Sequence, residues 1–326
     1  MSLTAPLLPA AQALAAGASE WIVPYADGPA DNAWADLQLP HLQALLTALS
    51  PRTVVQGSEY DFSPPHERVL ARTMGLPDTP GLIPWAALAA SNLGQDAAQA
   101  CAFITPSHWH IGADHVHQSD PAATPLGEEE SQQLLALISP WFADDGIALQ
   151  YLQPDLWLAR GDAFENLATA SMDRVLNRDV RPWFPDAAQG AVIQRLQSEV
   201  QMLLYTHVFN DRRAAQGLQP INAFWVHGSG RLPAPASTPA SQVACIDDLR
   251  TPALQGNVQA WRQAWQQLDG SLIAQLQQRA ERGEAVKLTL SGERHAVQWV
   301  NAPRGFMDKI KGMFATKRLP NLRDML

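Results

Sequence analysis

Hydrophobic and polar positions separate most legibly over residues 192–230. Ile193, Leu196, Val200, Leu203 and Leu204 recur at three- and four-residue spacing, and Gln194, Arg195, Gln197, Ser198, Glu199 and Gln201 fill the opposite face. The pattern predicts an amphipathic helix with one buried side. Asn210 is expected to close it, and Gly217 suits the left-handed position after a second short helical run, so 211–216 reads as a tight polar elbow. Pro220 restarts the chain. Residues 221–227 are apolar and aromatic-rich, the length of a buried strand around Trp225, and run into Gly228-Ser229-Gly230, where missing side chains let a backbone approach closely. His207, Asn222 and His227 are carried into or beside this apolar unit. They fit two roles, as hydrogen-bonded core polar groups holding a loop or as a binding site together with Trp225.

The same periodicities organise the rest of the chain. A helix is expected over 10–16, a short strand over 21–25, a packing helix over 41–49 opened by Pro40, and a helix entered through Ser63-Pro64-Pro65-His66-Glu67. The acidic run Glu128-Glu129-Glu130 starts a helix with Leu134, Leu135 and Ile138 buried and Pro140 as its stop. Strand-like runs at 148–152 and 157–159 form a hairpin, and glutamine-rich helices at 258–268 and 271–282 precede a second hairpin, 286–290 with 296–300. Prolines and small residues over 232–240 mark a connector between an α/β core, 1–231, and a C-terminal region of helices and hairpin, 241–326. The tail, 304–323, sets Lys309, Lys311, Lys317 and Arg318 around Phe306, Ile310, Met313 and Phe314, a pattern shared by interfacial helices and docked terminal helices. It leaves room for a protein partner.

With 326 residues and 46% hydrophobic content the chain can bury a large core. A net charge of −9 argues against a nucleic-acid partner, because phosphate backbones attract a basic field. Cys101 and Cys245 lie far apart with no CxxC spacing, which fits a reducing compartment. The apolar run 5–16 is broken by Pro6 and Pro9 and has no basic residue before it, poor for a signal peptide and too short for a transmembrane segment. The expectation is a cytoplasmic protein.

Three stretches carry candidate chemistry. The run 21–25 ends in Asp27-Gly28-Pro29-Ala30-Asp31, where Asp27 could ligate a metal or simply make a turn. Ser63 could cap the helix that follows or serve as a nucleophile at its N-terminus. The run Ser107-His108-Trp109-His110-Ile111-Gly112-Ala113-Asp114-His115-Val116-His117 packs four histidines and an aspartate together. On strands, His108 and His110 share a face, as do His115 and His117, and neutral imidazoles so spaced can hold Zn²⁺ or line a polar rim.

Residues 222–230, Glu199-Val200-Gln201-Met202-Leu203-Leu204-Tyr205-Thr206-His207 and Ser63-Pro64-Pro65-His66-Glu67 resemble the bacterial RpfE-type regulatory protein family, often labelled putative cofactor-independent phosphoglycerate mutase. The Asn-x-x-Trp-x-x-Gly-x-Gly pattern is similar to archaeal-type cofactor-independent phosphoglycerate mutases of the alkaline phosphatase superfamily. The resemblance implies an α/β fold, with an alkaline-phosphatase-like central sheet flanked by helices and two-metal phosphoryl transfer. It makes Asp27 a metal ligand and Ser63 the serine that is transiently phosphorylated, with His108, His110, Asp114 and His115 available to complete the site. The superfamily's later Asp-x-x-x-His and Asp-His ligands have no clear counterpart in this chain. The expectation is therefore a phosphoglycerate-mutase-like protein with an eroded metal site and no tightly bound cofactor. Its role would be regulatory or metabolite-sensing, with a small phosphorylated metabolite as ligand. The alternative is a mutase or phosphohydrolase that uses a divalent metal (Mn, Zn or Mg) if active.

Overall fold

The computed structural model describes residues 7–8, 12, 18–95, 99–233, 243–301 and 322–326. Apart from residue 12, the helix expected over 10–16 lies outside the described residues, as do 234–240 of the connector and 304–321 of the basic tail. Two units make up the chain. One comprises Met1–Glu59, Pro64–Gly75 and Ser237–Leu326, the other Tyr60–Ser63 and Leu76–Ala236.

The first unit is built on a mixed sheet in the order Leu7–Leu8, Val243–Ile246, Glu20–Val23, Lys287–Ser291, His295–Val300, Ser50–Gln56. The first four strands pair in parallel and the last two join antiparallel. Every residue of Glu20–Val23 is buried, as a central strand requires when helices cover both faces. One face carries Trp21, Val23, Leu288, Leu290 and Trp299 into a core shared with the helices Pro40–Ala48, Val258–Leu268 and Ala274–Glu281. Trp261 and Trp265, one turn apart on Val258–Leu268, pack edge to face with centroids 6.2 Å apart, and Trp34 packs against both. The helix Pro65–Thr73 also packs on this sheet. The expected C-terminal hairpin is present as Lys287–Ser291 and His295–Val300.

The second unit has an antiparallel sheet in the order Ala148–Gln153, Leu156–Arg160, Cys101–Ser107, Ala223–Gly230. The expected hairpin forms its edge. Helix Ala187–Tyr205 places Ile193, Leu196, Val200 and Leu204 in a core with Phe142, Trp157 and Phe224, as its periodicity predicts. The chain is thus a mixed α/β protein.

Three local expectations are corrected. Pro140 does not stop its helix, which runs as Glu128–Ala143; the ring forfeits one backbone bond close to the C-terminus, and the buried Ile138 and Phe142 carry the helix past it. The second short helical run expected before Gly217 is present as Val208–Ala215, entered through His207, whose Nδ1 accepts the Phe209 N–H at 3.1 Å, and it takes up most of the stretch read as an elbow at 211–216. Arg213 anchors it to distant segments. The buried guanidinium donates to Glu130 Oε2 at 2.7 Å and to the carbonyls of Gln219 and Pro125. Asn210 therefore lies inside a helix, where its side chain donates to the Leu204 and Ile221 carbonyls and accepts the Ile221 N–H. Finally, Ser63 is not a helix cap. Pro64 occupies that position with extended backbone and no side-chain bond, so Ser63 stands one residue too early.

Candidate functional site

In the second unit, His108, Trp109, His110, Ile111, Gln201, Met202, Tyr205 and Asn222 line an open groove of about 480 Å³. Two elements make it. One is a hairpin, Trp109–Ile111 paired antiparallel with Val116–Gln118; the other is the outward face at the end of Ala187–Tyr205. Asn222 fixes the hairpin, since its Oδ1 accepts the Trp109 N–H at 2.7 Å and its Nδ2 donates to the Trp109 carbonyl at 2.9 Å. A single side chain thereby mimics a β-ladder partner. Beneath it, the fully buried Gln118 accepts the Trp109 indole N–H at 2.7 Å and donates to Ser107 Oγ at 2.9 Å. On the far side, Val116 receives the Val180 N–H at its carbonyl and donates to Asp179. Hydrogen bonds from Arg181 hold the Asp179 carboxyl well below the usual range.

Trp225 lies under the hairpin, buried, with its indole N–H donated to the Ala170 carbonyl at 2.9 Å and its ring against Trp109 and Phe184. His227, two residues on, is also buried and shares a 3.0 Å hydrogen bond between Nε2 and Thr105 Oγ1. Burial pushes its pKa down to about 4, against a smaller opposing pull from Asp173. The imidazole is neutral at physiological pH. Gly228, with φ +63°, is required where the strand meets the helix Trp85–Asn92; a Cβ there would stand 3.1 Å from Trp85 Cβ and 3.2 Å from Phe103. The glycine-permitted close approach is therefore to packed aromatic residues of this unit.

The histidine run is divided rather than gathered. His108 Nδ1 meets the Pro220 carbonyl at 2.8 Å, so that nitrogen carries the proton and Nε2 is left as an acceptor. Burial lowers its pKa and favours this neutral form. His110 lines the groove and stands directly across the ladder from His117. His115 sits in the connecting turn with its ring over Gly112, and Asp114 is exposed. Among the described residues, His108, His110, Asp114, His115 and His117 do not bring three ligand atoms within 4.8 Å of one another.

Asp27 belongs to the first unit and Ser63 to the second. Asp27 Oδ2 accepts the Glu293 N–H at 2.9 Å, and its carboxyl presses so closely on the hairpin turn that a Cβ at Gly292 would lie 2.6 Å from it. Burial, with help from the Glu293 charge, raises the Asp27 pKa to about 6. Ser63 Oγ accepts the Gly81 N–H at 2.9 Å. The adjoining Phe62 and Asp61 carbonyls receive Ser171 N–H and Arg174 Nε, which stitch this short segment into the second unit. His66 and Glu67 in the first unit, and Asp173 in the second, are further buried side chains of metal-binding type.

No family model matches the chain, and no curated protein matches it. Among solved structures, it is similar to a cofactor-independent phosphoglycerate mutase from Thermoplasma acidophilum DSM 1728, at 12% identity and a TM-score of 0.36, over 88% of this chain and 91% of that one. It is also similar to the PH0037 protein from Pyrococcus horikoshii, at 10% identity and a TM-score of 0.42, over 87% and 88% of the two chains. Likeness at this level assigns no activity.

The groove contains residues that pattern alone does not mark. Met202 and Tyr205, three apart on the predicted helix, are 77% and 85% exposed, and Ile111 is 57% exposed. A large apolar pair on the polar face of an otherwise regular helix is the signal that could have found them.

Proposed function

We propose that this chain is a phosphoglycerate-mutase-like protein whose metal site is eroded and which serves as a non-catalytic, metabolite-sensing regulator. The groove of the second unit is the ligand site in this reading. Its size is that of small-molecule pockets, and it combines an apolar lining with a few oriented polar groups. The observation that carries the reading is the His108–Pro220 hydrogen bond, which fixes the tautomer of an imidazole in the lining of a mostly apolar groove. Such a surface suits a ligand with an apolar body and a hydrogen-bond donor. Supporting it, Ser63 Oγ is committed to a backbone N–H, Asp27 to a hairpin turn, and the histidine run to separate tasks. A serine without two metals or a base has no route to activation at neutral pH.

The test is an assay for phosphoglycerate interconversion, with Mn²⁺, Zn²⁺, Co²⁺ and Mg²⁺ added in turn. The expected outcome is no turnover above a metal-free control. Ser63→Ala should lower stability by about 1 kcal/mol, because the Gly81 N–H loses its acceptor. Metal-dependent turnover abolished by both Ser63→Ala and Asp27→Ala, in proteins that still fold, would make this chain an enzyme.

A further inference from the structure

The hairpin that borders the groove has two unlike faces, and its register assigns residues to each. Trp109 stands directly opposite Gln118, His110 opposite His117 and Ile111 opposite Val116. Trp109 and Gln118 are buried and joined through their side chains at 2.7 Å, and Val116 packs against the core cluster that contains Trp183 and Trp225. That face looks into the unit. Directly opposed residues share a face, and positions two apart on a strand return to it, so His110, Gly112, His115 and His117 stand together on the other face. The Gly112 N–H donates to the His115 carbonyl at 2.9 Å, which carries the ladder on to that pair.

The histidine face therefore presents His-x-His on one strand and a single histidine on its neighbour, a set of three imidazoles such as Zn²⁺ takes when one position stays open. The Cβ atoms of a directly opposed pair lie about 5.5 Å apart, close enough for His110 and His117 to meet one ion from either side. His115 reaches the same place differently. Its ring lies across the ladder over Gly112, where a Cβ would fall 2.6 Å from Cε1 and 2.8 Å from Nε2. The Gly112 backbone is not in the left-handed region, so the glycine does not relieve the turn; it leaves room for the ring beside His110. His110 and His115 are exposed and His117 is half-buried. None of the three has a hydrogen-bond partner among the described residues, in contrast to His108 with its bond to Pro220. As the side chains stand, their nitrogens do not converge within 4.8 Å, and rotation about χ1 and χ2 of unpartnered rings brings them together between staggered wells at little cost.

We propose that this face of the hairpin is a binding site for a divalent transition metal of the kind imidazole favours, Zn²⁺ foremost, with His110, His115 and His117 as ligands and the remaining position open to water. The site uses neither Asp27 nor Ser63 and is distinct from the two-metal arrangement that the mutase resemblance implies. It does not depend on what the groove binds.

Isothermal titration calorimetry of the full chain with Zn²⁺, after metal has been removed by chelation and dialysis, tests the proposal. Zn²⁺ is expected to bind, and His110→Ala, His115→Ala and His117→Ala should each weaken that binding about tenfold or more, since a direct ligand counts for at least as much as the groups that orient one. Excess Mg²⁺, which prefers oxygen ligands, should not displace it. Tyr205→Ala, on the helix across the groove, should leave the affinity unchanged. No binding of Zn²⁺ by wild type overturns the proposal. So does unchanged affinity in any one of the three histidine variants whose circular dichroism matches wild type, because the ion would then be held by other residues.

Discussion

The two recesses differ in what stands behind their polar groups. In the second unit, the neutral His108 imidazole and the Asn222 amide are backed by a wall of aromatic rings, with Trp225, Trp109 and Phe184 in mutual contact. In the first, Glu20, Arg52, Lys287 and Gln298 line a recess of about 400 Å³ on the β-sheet, and Lys287 and Gln298 are tied to the buried Glu20 carboxylate. An aromatic wall fixes geometry through packing, so its polar groups need no charge to stay in place. The sheet row fixes geometry through hydrogen bonds and ion pairs, whose strength depends on which partners keep access to water. Different perturbations should therefore damage the two sites.

The largest expected effect concerns the wall. Replacing Trp225 by alanine removes a buried ring and the indole bond to Ala170, and should cost about 3–5 kcal/mol of stability. Tyr205→Ala, at the exposed rim of the same groove, should change stability by no more than about 0.5 kcal/mol. Chemical denaturation of both variants makes the check. Equal effects would mean that the rim and the wall are not distinct.

Next comes acidification, which charges the buried neutral imidazoles. His227 has a folded pKa near 4, whereas an unfolded imidazole titrates near 6.5. Between these values the unfolded chain takes up a proton that the folded chain refuses. The contribution is complete above about pH 6.5 and is lost as pH falls toward 4, for a total of about 3 kcal/mol. His108, also shifted down, adds to the same trend. Asp27, whose carboxyl is pushed up to about 6, contributes with the opposite sign, because the folded chain takes up its proton before the unfolded chain does. The check is therefore the stability of wild type relative to His227→Gln, which should fall between about pH 6.5 and 4; a difference that stays constant over that range would contradict the neutral buried imidazole.

Both sites were only partly legible in the sequence, and the division follows the range of the interactions. Helix Ala187–Tyr205, strand Ala223–Gly230 and the hairpins of each unit follow from patterns within a dozen residues, where apolar spacing alone selects the element. Asn222 and Trp225 were readable as polar and aromatic anchors of one unit, but not Asn222's grip on Trp109, which spans more than a hundred residues. The first unit's recess was invisible for a stronger reason. Its strands come from residues 20–23, 50–56, 287–291 and 295–300, and no local pattern states which strands pair or in what register. Ser63 misled because a serine before Pro-Pro resembles a cap, while its hydroxyl meets a backbone N–H eighteen residues away.

The smallest of these effects probes the charged site through its asymmetry. Glu20 is fully buried, whereas the Lys287 side chain is 42% exposed. After Lys287→Met the carboxylate retains Gln298 as a donor but loses its cation and has no path to water; the expected cost is about 1–2 kcal/mol, reduced from a fully buried pair by the exposure of the lysine. After Glu20→Gln the lysine can turn its ammonium into solvent, so the loss should be smaller, and the double variant should lose less than the two single losses added together. Chemical denaturation of the two single variants and the double variant makes the check; equal losses in Lys287→Met and Glu20→Gln would mean that the half-exposed ammonium is held as firmly as the buried carboxylate.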